Sequence, residues 1–194
     1  MDKKRSAREQ KVARAAQDFL AALGVDTAAR GMEATPMRVA KLYATLFDGL
    51  GTDPNTLWGE VFETCARGIV AVRHIPFCSM CEHHLVPFFG AVSIAYLPGR
   101  GRVAGFSKFA EVVTCLSHRP QLQERLTAEI AEAVHTGLGA HGVLVVCEAE
   151  QLCMMLRSTH ARGTRTVTSE MRGDEPLDSF AAQAWQMLGG AKKA

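Results

Sequence analysis

Two helical patterns set between two pairs of strand-like runs constrain this fold more than any other feature of the chain. Residues 107–117 and 120–138 read as helices separated by Arg119-Pro120. The second carries Leu122, Leu126, Ile130, Val134 and Leu138, a stripe at four-residue spacing. Before them, residues 68–75 are β-branched and apolar, and residues 89–97 form a second apolar run that Pro98-Gly99 ends. After them, residues 142–149 and about 152–157 read as further strands. A threonine-rich stretch at 164–169 follows, then a last helix with Leu177, Phe180, Ala184, Trp185 and Leu188. This order predicts an α+β fold, an antiparallel four-stranded sheet with two helices on one face. So small a sheet leaves unpaired edges, which oligomerisation would cover.

An all-helical arm precedes this core. Val12, Ala16, Phe19, Leu20 and Leu23 recur at helical spacing over residues 8–23, and Gly24 stops the run. A second helix is expected to start at Thr35-Pro36, a cap followed by proline in the first turn. It would bury Val39, Leu42, Leu46 and Phe47 and end at Gly49. Residues 50–60 then form a linking loop. The expected division is a helical region over 1–60 and a catalytic domain over 61–194, including the C-terminal helix.

Of 194 residues, 47% are hydrophobic and 22% charged, ordinary for a globular protein. A net charge of +2 gives no general attraction for nucleic acid or membrane, so neither is expected as a partner. The start, Met1-Asp2-Lys3-Lys4-Arg5-Ser6, is charged and has no apolar segment after it. No run approaches the ~20 apolar residues of a membrane helix. The expected location is the cytoplasm, where six sparse cysteines are better suited to metal than to disulfides.

The segment Cys78-Ser79-Met80-Cys81-Glu82-His83-His84 carries the chemistry. Cys81 and His84 have the local spacing of a two-ligand zinc grip, and Cys153 is the best candidate for a third ligand. Two thiolates, one imidazole and an open fourth position would make a catalytic zinc site, lowering the pKa of water to about 7. A rival set adds Cys78 and closes the site, and spacing alone leaves both open. His83, next to a ligand, is free for proton transfer.

These residues sit within longer motifs. The stretch from Ser79 to Phe88 resembles the signature of the GTP cyclohydrolase I family, as do Arg119–Thr127, Leu152–Arg157 and Thr35–Lys41. The resemblance runs from about residue 10 to 173. It implies a tunnelling fold, assembled as a toroidal decamer with active sites between subunits. It also implies zinc on Cys81, His84 and Cys153, with Cys78 a bystander, and His83 as the acid/base group. Glu124, with Gln123 beside it, would bind guanine, since a carboxylate can accept from both N1–H and the 2-amino group. Ser107, Lys108, Arg157, Arg38 and Lys41 would contribute to holding the nucleotide phosphates. The implied reaction opens the guanine imidazole ring of GTP, releases formate and closes to 7,8-dihydroneopterin triphosphate.

The chain departs from the family pattern twice. Gln151 replaces a second histidine two residues before Cys153, and an amide holds water or substrate but shuttles no proton near pH 7. Glu111 replaces an arginine that follows the phosphate-binding Ser107-Lys108 segment, which places repulsion beside a polyphosphate. Together they raise an alternative: an enzyme that stops at the formamidopyrimidine, or uses a guanine substrate with fewer phosphates. His160 is the first candidate to replace the missing histidine. A non-catalytic scaffold that keeps fold and zinc is a further alternative. A nitrile reductase of the same fold is disfavoured, because its motifs and a dinucleotide fingerprint are missing.

Overall fold

A computed structural model describes residues 3–65, 67–157, 161–174 and 177–189. The chain divides into two compact units, Met1–Asp48 and Gly49–Ala194.

The first unit is helical, as expected. α1 (Lys3–Ala22) packs on α2 (Thr35–Leu46). Pro36 falls in the first turn of α2, but Ala34 precedes the helix and no side chain caps it. The Thr35 hydroxyl donates to Met32 Sδ at 3.7 Å instead. Pro36 and Ala40 form the buried face. Leu42, expected inside, lies roughly half a turn around from Ala40 and is 56% exposed.

The second unit contains the sheet. Its main strands are β2 (Val70–Cys81), β3 (Pro87–Leu97), β6 (Gly142–Gln151) and β7 (Thr166–Gly173), each antiparallel to the next. β5 (Pro120–Gln121) adds a short parallel pairing to the end of β2, giving the order β5-β2-β3-β6-β7. β1 (Val61–Glu63) and β4 (Arg102–Ala104) form a separate antiparallel ribbon. The expected four-stranded antiparallel sheet is present, with one strand reassigned. Residues 152–157 are not a strand: α5 (Leu152–Met155) begins there, in a run of unbranched leucine and methionine that favours helix. The fourth strand is the threonine-rich stretch, whose β-branched residues suit an edge.

α3 (Phe106–Ser117) and α4 (Gln123–Leu138) cover one face. Phe109, Val112, Val113 and Leu116 of α3 meet Leu126, Ile130, Val134 and Leu138 of α4 over Val92, Ile94, Val143 and Val145. Four of the five predicted stripe residues are therefore in the core; the helix starts at Gln123 rather than at 120, and Leu122 precedes it, partly buried. Gly139, in the left-handed region at φ 57, ends this helix. α6 (Asp178–Met187) covers part of the opposite face with Phe180 and Ala184 against Ala95 and Leu144. β2 runs six residues beyond its expected end. Ile75, Phe77, Ser79 and Cys81 alternate inward, so the strand carries the cysteine segment to the sheet's end. Among the described residues, no helix is long and apolar enough to cross a membrane.

Candidate metal and substrate site

The turn between β2 and β3 builds the first half of the site. Cys81 closes β2, where its N–H donates to the Val86 carbonyl at 2.9 Å. The Leu85 and His84 N–H groups turn back to the Cys81 carbonyl at 2.8 and 3.4 Å, with Leu85 at φ 50. This tight turn places His84 Nδ1 3.7 Å from Cys81 Sγ. The second half arrives through strand pairing. Phe88 of β3 is opposite Gln151 of β6, so the first turn of α5 falls beside the β2–β3 turn and carries Cys153. Ligand atoms of Cys81, His84 and Cys153 all lie within 4.8 Å of one another.

That cluster fits a metal. With zinc–sulfur bonds of about 2.3 Å and zinc–nitrogen bonds of about 2.0–2.1 Å, tetrahedral donors stand roughly 3.5–3.8 Å apart. The 3.7 Å Cys81–His84 separation falls in that range. Burial, then the neighbouring Cys81, pushes the Cys153 thiol pKa up, which holds its proton until a cation offsets both effects. Cys78 is half-buried on the same strand, and burial raises its thiol too; it is not part of the three-residue cluster.

His83 points into solvent, 63% exposed, with Nε2 4.0 Å from Glu82 Oε1. Arg125 holds that glutamate through Nη2, while its Nε donates to Gln121 Oε1 at 2.8 Å. Gln121 in turn donates to Glu129 at 2.7 Å and to the Leu116 carbonyl at 3.2 Å. None of these supporting residues was singled out from the sequence. Their roles depend on strand β5 lying beside β2, which no local pattern reports.

Glu124 is exposed in the first turn of α4, where the helix dipole favours a carboxylate. Gln123 is buried and its amide is engaged by protein. Nε2 donates to the carbonyls of Cys147 and Thr166, each at 3.1 Å, and to Thr168 Oγ1 at 3.2 Å. Oε1 accepts from Gln151 Nε2 at 2.7 Å and from the Thr166 hydroxyl. Gln151 Oε1 faces the Cys153 thiol at 4.0 Å.

Ser107 is exposed in the first turn of α3. Lys108 donates to both Glu111 oxygens, so the charge reversal foreseen from the sequence acts first on the lysine itself. Arg157 follows α5 and places Nη1 3.1 Å from His84 Nε2. Arg38 and Lys41 lie exposed on α2 of the first unit. His160 lies outside the described residues.

The sequence pattern of the family described as GTP cyclohydrolase I matches residues 12–187. GTP cyclohydrolase 1 of Streptococcus agalactiae serotype Ia is 47% identical over 175 residues, covering 90% of this chain and 94% of the relative. The Listeria monocytogenes serotype 4b protein of the same name is 48% identical over 165 residues, 85% of this chain and 87% of the relative. That of Geobacillus kaustophilus is 48% identical over 163 residues, 84% and 87% of the two chains. Among solved structures, archaeosine synthase QueF-Like in the apo form is 21% identical, with a TM-score of 0.46, over 57% of this chain and 99% of that one.

Proposed function

From the premise that this chain belongs to the GTP cyclohydrolase I family, we propose that it opens the guanine imidazole ring of GTP by zinc-dependent hydrolysis, toward 7,8-dihydroneopterin triphosphate. The convergence of Cys81, His84 and Cys153 carries this reading. Two sulfurs and one nitrogen suit zinc, and three protein ligands leave a position for chemistry. A bound zinc ion supplies Lewis acidity and brings the pKa of water to about 7.

The remaining steps fall to the protein's own side chains. His83, exposed beside the cluster, is the group that protonates the departing ring nitrogen, with Glu82 and Arg125 fixing its surroundings. Glu124 accepts the N1–H and 2-amino donors of guanine, and the pair distinguishes guanine from adenine. Ser107, Lys108 and Arg157 are phosphate contacts of the second unit, and Arg38 and Lys41 are phosphate contacts carried by the first. The open edge of β7, paired only with β6 among the described residues, supports assembly of several copies through their sheets, in the decamer implied by the family pattern.

Two observations favour a second reading for the later steps. Gln151 puts beside Cys153 an amide that shuttles no proton near pH 7, and Lys108 is paired with Glu111. On that reading the product is the ring-opened formamidopyrimidine, or the substrate has fewer phosphates. Mass spectrometry of products from GTP, GDP, GMP and guanosine tests both. Dihydroneopterin triphosphate at ordinary turnover eliminates the second reading, and an unaltered substrate panel eliminates both.

A further inference from the structure

The orientation of the Gln123 amide is set by two partners that cannot exchange roles. The carbonyls of Cys147 and Thr166 only accept, so both face the Gln123 nitrogen. Its Oε1 must then point the other way, toward Gln151 and the Thr166 hydroxyl. Thr166 has one hydrogen, and Gln123 Oε1 is nearer than its other acceptor, the Ala149 carbonyl at 3.2 Å. Gln151 can approach Gln123 Oε1 at 2.7 Å only through its NH2 group. Its own oxygen is therefore turned toward Cys153. The backbone of β6 and β7 thus sets, through two side chains, which end of the Gln151 amide meets the site.

We propose that Thr166 and Gln123 are positioning residues that hold Gln151 as a hydrogen-bond acceptor facing the cluster, and that this acceptor makes the site select a ring-opened formamidopyrimidine over the closed purine. The proposal rests on reading the site as one that hydrolyses guanine at C8. Hydrolysis bonds the water oxygen to C8, breaks C8–N9, and leaves one hydrogen of the water on N7 and the other on N9. No further reactant is needed. In the closed ring N7 offers only a lone pair and N9 has no hydrogen, so an acceptor finds nothing to bind there. After opening, both nitrogens are N–H donors. An amide locked in this orientation stabilises the opened molecule, while a side chain able to donate would favour the closed one.

Equilibrium dialysis of the zinc-loaded full chain tests the proposal with two probes. One is ring-opened 7-methylguanosine triphosphate, which keeps the N–H at the former N9. The other is 7-deaza-GTP, a closed ring with no amidine to hydrolyse. The wild type prefers the opened probe by about tenfold, the scale of one hydrogen bond. Thr166→Val, which keeps a β-branched residue in β7 but removes the hydroxyl, reduces that preference by about fivefold or more and changes 7-deaza-GTP binding by less than about twofold. Thr166→Ser restores the preference. An unchanged preference in Thr166→Val, or an equal fall for both probes, overturns the positioning role while leaving the guanine reading intact. A wild type that binds neither probe overturns that reading and this proposal with it.

Discussion

The ammonium of Lys108 donates to both carboxylate oxygens of Glu111, at 2.9 and 2.7 Å, one turn along α3. The pair is partly exposed, 33% and 45%, so its intrinsic strength is modest. Its consequence for a polyphosphate is larger, because the same contact occupies the lysine and adds a negative charge beside it. Glu111→Gln is expected to tighten GTP binding by about threefold to tenfold, equivalent to roughly 1 kcal/mol, and to leave guanosine binding unchanged. Calorimetric titration of both ligands measures the difference. Equal GTP affinity in the two proteins would remove Lys108 from the phosphate site.

Metal removal should act on both halves of the cluster. Cys81 ends β2 and Cys153 lies in the first turn of α5, so a bound ion ties the β2–β3 turn to the end of β6. Cys153→Ser is expected to reduce bound zinc from about one per chain to a small fraction, since structure and affinity depend on the thiolate. Chelation of the wild type should lower its Tm toward that of the variant. Full zinc content in Cys153→Ser would point to a different ligand set, with Cys78 the first to examine.

The close approach of β3 to β6 makes a sharper structural prediction. A Cβ at Gly90 would meet the Glu148 carbonyl oxygen at 1.9 Å and Ala149 Cα at 2.7 Å, both backbone atoms that cannot step aside. Gly90→Ala is expected to destabilise the second unit by roughly 2–4 kcal/mol, measured by urea unfolding. Because this pairing also places Gln151, the variant should lose zinc affinity as well.

How much of this could be read from the sequence differs between elements. The α4 stripe and the Cys81–His84 spacing are local patterns, and both locate the structure they imply. Cys153 could be nominated from its place after a strand, although the residues following it form a helix. The fourth strand escaped because Thr164, Thr166 and Thr168 alternate with charged or apolar residues without an obvious buried face. Gln123 was read as a substrate contact because its neighbour Glu124 is one in the family pattern. Its protein partners Thr166 and Gln151 are 43 and 28 positions away and meet it through the pairing of β6 with β7. Likewise Arg125 reaches Glu82 across 43 positions. Sheet register, not composition, decides these contacts.

Alkaline pH should destabilise the second unit in a predictable direction. Burial raises the Cys147 thiol from 9.0 to about 12 and the Tyr96 phenol from 10.0 to about 12. Both are acids that hold their protons more firmly in the fold than in the unfolded chain. Their contribution to stability is complete below about pH 9 and is lost as pH rises from there toward 12. Urea unfolding between pH 8 and 11, on the order of that window, should show falling stability that Cys147→Ala and Tyr96→Phe each flatten. Among the described residues the buried Tyr96 hydroxyl has no hydrogen-bond partner, so Tyr96→Phe should be neutral or stabilising at neutral pH. A steep loss in Tyr96→Phe at neutral pH would reveal a partner for that hydroxyl.

The guanine C8 proton offers the most direct view of the proposed chemistry. Proton NMR of GTP incubated with zinc-saturated protein should show the C8–H signal disappearing as a formyl or formate signal grows, with neither change after chelation or in Cys153→Ser. A C8–H signal that persists undiminished in the presence of zinc-saturated wild-type protein would contradict the assignment of Cys81, His84 and Cys153 to ring hydrolysis.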